Sequence, residues 1–335
     1  MNKLFRRFTT HSAILLYHRV CNLSSDPQML CVSPQHFAEH MKVLKMQYEI
    51  IRLRDLQCAL QNGNIPQRMI TLSFDDGYND NLYNALPLLE NLKIPATVFI
   101  ATNQITSGKE FWWDELDRLL LQPGELPETL ELSVNGTNYS WKLGNSANYS
   151  EDVYLHHKHW NVMVENDPTP RQSLYRSLCQ LLRPLSEQKR QIVLDQLLAL
   201  ADSNPMIRDT HRLLTPDEVI QLADKDLVEI GAHTVTHPML SRLPRVEQKK
   251  EIQKSKAHLE EILGHSVPSF SYPYGTLNDY TAETINIVRD AGFTCACSNF
   301  PDVVWRRTDL FQLPRFVVRD WDGEEFARHL NNWIA

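Results

Sequence analysis

The sequence lacks a hydrophobic run long enough to cross a membrane. The apolar stretch at residues 13–17 is too short for a span or for a secretory signal core, and His18-Arg19 follow it directly. It also lacks an excess of positive charge. With 34 Lys+Arg against 41 Asp+Glu, the formal net charge is −7, which argues against nucleic acid as a partner and against a general anionic-membrane surface. There is no C-x-x-C pair among the six cysteines, and Cys295 and Cys297 alternate in an apparent strand, where they share a face rather than bridge. This usage reads as reduced thiols and a cytoplasmic setting. Repeats and low-complexity tracts are missing too. The basic leader Lys3, Arg6 and Arg7 reads as a frayed terminus, with contact to a membrane surface as the alternative.

What is present is an ordinary globular composition, 42% hydrophobic and 22% charged over 335 residues. Short apolar strands are expected at residues 13–17, 49–53, 69–74, 96–101, 227–231, 266–271, 293–297 and 312–318. Helical patterns lie between them at 34–46, 54–61, 80–92, 215–224, 245–263, 279–291 and 323–333. Ser33-Pro34, Thr215-Pro216 and Asn278-Asp279 are good helix starts. Strands alternating with helices imply a parallel sheet, and seven or eight repeats imply a barrel rather than an open sheet, here a single domain over 1–335. Residues 103–214 break the rhythm and read as a large, mostly helical insertion. It holds a hairpin turning at Asn135-Gly136 and helical stretches at 150–165 and 170–202. Its Trp112, Trp113 and Trp160 are either sugar-stacking surfaces or the insertion's own core.

The chemistry gathers at strand ends. Asp75 and Asp76 are adjacent after the 69–74 strand, where two carboxylates repel each other and lose hydration, so a metal cation is the expected compensation. His233 and His237 follow the 227–231 strand with a spacing that lets both reach one ion, Pro238 disfavouring a regular helix there. In a parallel barrel all strand C-termini open on one face, so these motifs must meet. Tyr272-Pro273-Tyr274-Gly275, Arg315 and His18 end three further strands and should face the same cleft, with backbone N–H groups of the Tyr-Pro-Tyr-Gly turn available to an oxyanion.

The F-D-D-G, H-T-x-x-H and Y-P-Y-G runs, in this order, resemble the polysaccharide deacetylases with the NodB homology domain (carbohydrate esterase family 4). The resemblance covers roughly residues 12–102 and 215–330. It implies a distorted (β/α) barrel of about seven parallel strands, a divalent metal, most often zinc with Co2+, Ni2+ or Fe2+ as alternatives, and removal of acetyl groups from N-acetylated sugars of a polysaccharide or glycan precursor. It further implies Asp75 as general base, Asp76, His233 and His237 as metal ligands and the Tyr274 N–H as oxyanion donor; Tyr272 and Pro273 are expected near substrate, as are Trp112 and Trp113 of the insertion if they stack on sugar. Two departures stand out. Ser271 occupies the position where the family has an arginine, and no L-x-H motif follows residue 318. Leu16-Tyr17-His18 is itself an L-x-H, as in the circularly permuted branch that includes poly-N-acetylglucosamine deacetylases. His18 then becomes the catalytic histidine, protonated to serve the leaving amine, and Arg315 the substitute arginine. The alternatives are an O-acetyl carbohydrate esterase, a non-catalytic sugar-binding member, and a non-heme iron oxygenase, which shares a two-histidine, one-carboxylate site.

Overall fold

A computed structural model describes residues 11–63, 68–224 and 226–334. By the density of internal contacts these form two compact units. One comprises residues up to Asn22, Leu30–Ser107 and Leu213 onward, and the other Leu23–Met29 with Gly108–Arg212.

The first unit is built around a curled sheet. In strand β1 (His11–Tyr17), Ala13 through Tyr17 are all fully buried, so both faces of this apolar run are covered. The other strands are β2 (Glu49–Ile50), β3 (Met69–Phe74), β4 (Ala96–Ile100), β5 (Val228–Ala232), β6 (Ser269–Ser271), β7 (Cys295–Cys297), β8 (Val304–Trp305) and β9 (Phe316–Val317). Seven of them run parallel in the order β9-β1-β3-β4-β5-β6-β7, β2 pairs in parallel with the start of β3, and β8 pairs antiparallel with the start of β1. The register between β1 and β3 is unbroken: Ala13 opposes Ile70 and Tyr17 opposes Phe74.

The segment leading into β9 closes the ring. Leu313 donates its N–H to the Ala296 carbonyl at 2.9 Å and accepts from Ser298 N–H at 2.8 Å, while Val318 N–H reaches the Leu16 carbonyl at 2.9 Å. Chain from beside β7 thus crosses to beside β1. The result is the expected distorted barrel with seven parallel strands, whose C-terminal ends share one face. Packing inside it is tight. A Cβ built on Gly231 would lie 2.3 Å from the Phe99 ring, so glycine is what lets β4 and β5 approach.

Helix starts follow the local chemistry. Ser33 Oγ accepts from His36 N–H ahead of Pro34–Gln47, and Thr215 with Glu218 forms a capping box ahead of Pro216–Ala223. The expected start at Asn278-Asp279 is displaced. Asp279 turns back to accept from the Thr276 N–H and hydroxyl, and Thr281 caps the helix Ala282–Asp290 instead. The stretch expected as strand at 49–53 is shortened, because Leu53 already begins the helix Leu53–Gln61. The stretch expected as one helix at 80–92 opens with a π-turn, Asn81–Ala85, before Leu86–Leu92.

In the second unit, the hairpin Thr129–Val134 and Thr137–Lys142 turns through Asn135 and Gly136, both in left-handed conformation at φ 52° and 83°. The helical stretch expected at 170–202 is two helices, Pro170–Leu182 and Glu187–Leu200, with Pro184 between them. The helical stretch expected at 150–165 ends at His157. Leu116, Leu120, Leu130, Leu174, Leu178 and Leu197 form the unit's core. Trp113 stacks on Phe111 at 4.3 Å between centroids, Trp160 packs edge-on to Tyr175 at 6.0 Å, and Trp112 rests against the core under the Arg190 guanidinium. Trp113 and Trp160 are thus buried within the unit, and Trp112 is half-buried at the edge of its core.

Candidate active site

Three loops at the C-terminal ends of β3, β5 and β6 carry the chemistry, and each contains a non-glycine residue in left-handed backbone. Asp76 has φ 78°, Thr234 66°, His237 52° and Tyr274 59°. Such conformations cost energy for residues with a Cβ, and they gather where geometry outweighs local comfort. After β3, Asp76 and Gly77 turn the chain sharply, so the adjacent carboxylates leave the strand in different directions. The His233–His237 loop is held from outside by Glu251 of the helix Arg245–Leu263. Its carboxylate accepts from Val235 N–H at 2.9 Å, Thr236 N–H at 2.8 Å and the Thr236 hydroxyl at 2.8 Å.

Asp76 faces the histidines. Its Oδ1 lies 3.6 Å from His233 Nε2 and 3.5 Å from His237 Nε2, and all three side chains are buried. Among the described residues this is the one group whose ligand atoms converge, all within 4.8 Å of one another. Spacings of this size are too long for strong hydrogen bonds. They match ligand atoms arranged tetrahedrally about one ion at about 2.1 Å, which lie roughly 3.4 Å apart. His233 Nδ1 donates to the Ser271 carbonyl at 2.8 Å, fixing the tautomer that leaves Nε2 as the lone-pair donor. Burial lowers the His233 pKa, so the ring is a neutral ligand at neutral pH. The donor set therefore fits a divalent cation.

Asp75 is placed differently. Arg315 grips it with both arms, Nη1 to Oδ1 at 2.8 Å and Nη2 to Oδ2 at 2.7 Å, and Ser271 Oγ donates to Oδ2 at 3.1 Å. Arg315 itself is fully buried and is fixed by the Ser298 carbonyl and the hydroxyls of Ser73 and Ser271. Burial alone would raise the Asp75 pKa, but the guanidinium and nearby imidazoles overcome it and hold the carboxyl at about 2. Asp75 is thus a permanent anion near neutral pH.

His18 follows β1, with its carbonyl bound by Asn81 Nδ2 at 2.9 Å. It lies close enough to Asp75, Arg319, Arg315 and His233 for their charges to act on it. Burial first, and then the two arginines, push its pKa down to about 3 despite Asp75.

Tyr274 packs edge-on against His237, with 4.7 Å between centroids. Its turn is fixed by Gly275, at φ 70°, and by Asn299, whose N–H reaches the Gly275 carbonyl and whose Nδ2 reaches the Tyr274 carbonyl. Pro273 is buried in this turn. Tyr272 belongs to the interior: it is 1% exposed, stacked on Tyr280 at 4.1 Å, and its hydroxyl donates to the Phe311 carbonyl. Its side chain supports the loop from below, which corrects its expected place beside substrate.

Three contributors escape sequence reading. Ser73 and Glu251 look like an ordinary strand serine and a solvated helix acid. Ser271 carries a signal, since it stands where an arginine was expected. Its hydroxyl and carbonyl link the Asp75 side of the site to the His233 side.

Comparison with known proteins adds an independent line. The family model for polysaccharide deacetylase matches residues 62–149 and 178–296. A poly-beta-1,6-N-acetyl-D-glucosamine N-deacetylase of Staphylococcus aureus is 30% identical over 114 residues, 30% of this chain and 39% of that protein. YxkH of Bacillus subtilis, named for polysaccharide deacetylation, is 31% identical over 94 residues, 28% of this chain and 32% of its own length. The chain therefore spans between a third and two fifths of these curated relatives. Among solved structures, the Streptococcus pyogenes deacetylase PplD in complex with acetate superposes with a TM-score of 0.60 at 16% identity, covering 98% of this chain and 99% of that one. IcaB from Ammonifex degensii gives 0.58 at 15% identity, with 97% of each chain covered. These two likenesses concern the fold.

Proposed function

Because the chain belongs to the polysaccharide deacetylase family, we propose that it is a metal-dependent hydrolase removing acetyl groups from N-acetylated sugars of a polysaccharide or its precursor. The observation carrying this reading is the unequal treatment of two adjacent carboxylates. Asp76 faces two imidazoles at 3.5 and 3.6 Å, whereas Asp75 is clamped by Arg315.

Asp76, His233 and His237 would hold the cation, with zinc the metal best matched to two imidazoles and one carboxylate. When bound, that cation lowers the pKa of a water and polarises the acetyl carbonyl. Asp75 accepts the proton of the attacking water, and Arg315 keeps it ionised and aimed. The Tyr274 N–H donates to the acetyl oxygen as negative charge builds there. His18 takes up the proton that Asp75 removes from the water and passes it to the leaving amine, Asp75 being the group that raises its basicity. Residues 103–214 are an insertion within this single deacetylase domain. Among the described residues no helix is long and apolar enough to cross a membrane. A cytoplasmic setting belongs to the same reading and rests on cysteine usage; fractionation checks it.

The test is acetate release from N-acetylglucosamine oligomers by the zinc-loaded protein, beside O-acetylated oligomers. Asp75→Asn should cut the rate by about 10²–10⁴-fold while metal content stays unchanged. An unaltered rate removes Asp75 as base. Preference for the O-acetylated substrate makes the chain an esterase, and oxygen consumption with iron and a keto-acid makes it an oxygenase.

A further inference from the structure

A second chemical feature lies at Cys21 and Cys31. Their sulfurs are 3.3 Å apart, in contact across a short parallel pairing in which Arg19 opposes Cys31 and Val20 opposes Val32. Backbone bonds hold the two segments together on either side of the contact. Arg19 N–H reaches the Leu30 carbonyl at 3.1 Å and Cys21 N–H reaches the Val32 carbonyl at 3.0 Å. Asp80 fastens the first segment, accepting from Arg19 Nε at 3.0 Å and from Val20 N–H at 2.8 Å. The thiols are therefore presented to each other by a fixed frame, and a bond needs a closure of only about 1.3 Å.

Both sulfurs belong to half-buried residues rather than to the buried interior. The buried Arg19 guanidinium, paired with Asp80, is close enough to interact electrostatically with both sulfurs. The other cysteines are poorly suited. Cys295 and Cys297 are buried on one strand, and burial pushes the Cys297 thiol up to about 12. Burial does the same to Cys179, also to about 12, and Cys58 is exposed on the helix Leu53–Gln61.

We propose that Cys21 and Cys31 form a reversible intramolecular disulfide when the chain meets an oxidised thiol pool, closing the loop of residues 22–30. The expectation of six permanently reduced thiols then holds only under reducing conditions. With glutathione disulfide as oxidant, one thiolate of the pair attacks a glutathione sulfur and expels one glutathione thiolate. The second protein thiolate attacks the mixed disulfide and expels the other. Two protein thiols are oxidised, one glutathione disulfide is reduced to two glutathiones, and the two protein protons pass to the released thiolates. The closed loop has fewer conformations when unfolded, so the oxidised chain should melt several degrees higher.

The experiment incubates the native full chain with glutathione disulfide, alkylates the remaining thiols, digests it and reads the peptides by mass spectrometry. The expected result is a Cys21–Cys31 cross-linked peptide, with Cys295 and Cys297 alkylated only after denaturation. It comes with a rise in Tm that a reductant reverses and that Cys21→Ser and Cys31→Ser each abolish. Circular dichroism at low temperature checks that both variants are folded. Recovery of Cys21 and Cys31 as separate alkylated or glutathionylated residues overturns the proposal, as does a bridged chain with an unchanged Tm.

Discussion

Arg315 and Asp75 form a bidentate ion pair at 2.7 and 2.8 Å between residues 240 positions apart, and the arginine is fully buried. The pair joins the segment entering β9 to the loop leaving β3. It places a fixed positive charge against the carboxylate that must stay ionised, while Asp76 is left to the histidines.

Removing one partner strands the other as an uncompensated buried charge. Arg315→Ala should therefore lower stability by about 3–5 kcal/mol, read as a reduced urea midpoint, and abolish acetate release. Arg315→Lys keeps the charge but cannot reproduce the fork, so it should fold with an activity loss larger than its stability loss. An alanine variant as stable as the parent would show that the pair contributes nothing net.

The two faces of Ser271 should separate. Ser271→Ala removes the hydroxyl shared by Asp75 and Arg315 but leaves the carbonyl that orients His233. Metal affinity should then stay within a few fold, while stability falls by about 1–3 kcal/mol. His237→Ala and Asp76→Ala should lose the metal itself. Chelation should silence the parent protein, and zinc should restore it. Metal titration by calorimetry, run beside urea unfolding, distinguishes these outcomes.

Acid should weaken the fold in two stages. His40 is fully buried, with its ring stacked on Phe326 at 4.0 Å and Nε2 donating to the Trp321 carbonyl, and burial lowers its pKa from 6.5 to about 4. Between those values the unfolded chain binds the extra proton, so stability falls as pH drops below 6.5 and this contribution levels off near 4. It amounts to about 3 kcal/mol. Asp75 acts lower down. Its folded pKa of about 2 lies below the ordinary 3.8, so its contribution of about 2 kcal/mol is present above pH 4 and lost between there and 2. His18 and His233, whose pKa values are lowered too, titrate over the same range, so His40→Gln should shrink the first stage and keep the second, as read from unfolding free energies across pH. An unchanged slope between pH 6 and 4 would exclude His40 as its source.

Much of this was legible because the physics is local. The apolar run Met69–Phe74 is the strand itself, and the helix Arg245–Leu263 has the expected limits. Asp76, His233 and His237 come together as a parallel barrel requires. Arg315 meets Asp75 because β1 pairs with β3 on one side and with β9 on the other. What failed was set by tertiary context. Tyr272 looks like a cleft residue, but its ring lies beneath the loop against Tyr280. The lowered pKa of His18 was hidden as well, because burial and two nearby arginines produce it. Glu251 gave no signal, because capturing loop N–H groups depends on where its helix passes.

The closing of the sheet has a consequence for how the molecule comes into being. β1 leaves the ribosome almost 300 residues before β9, its hydrogen-bonded neighbour. Until then the Asp75 carboxylate has no guanidinium to meet, and burying it alone would be costly. The nascent chain must keep that pocket hydrated, or unfolded, until the last strand arrives. Such long-range closure makes folding slow and leaves strand edges open meanwhile, so synthesis is when this protein is most exposed to aggregation.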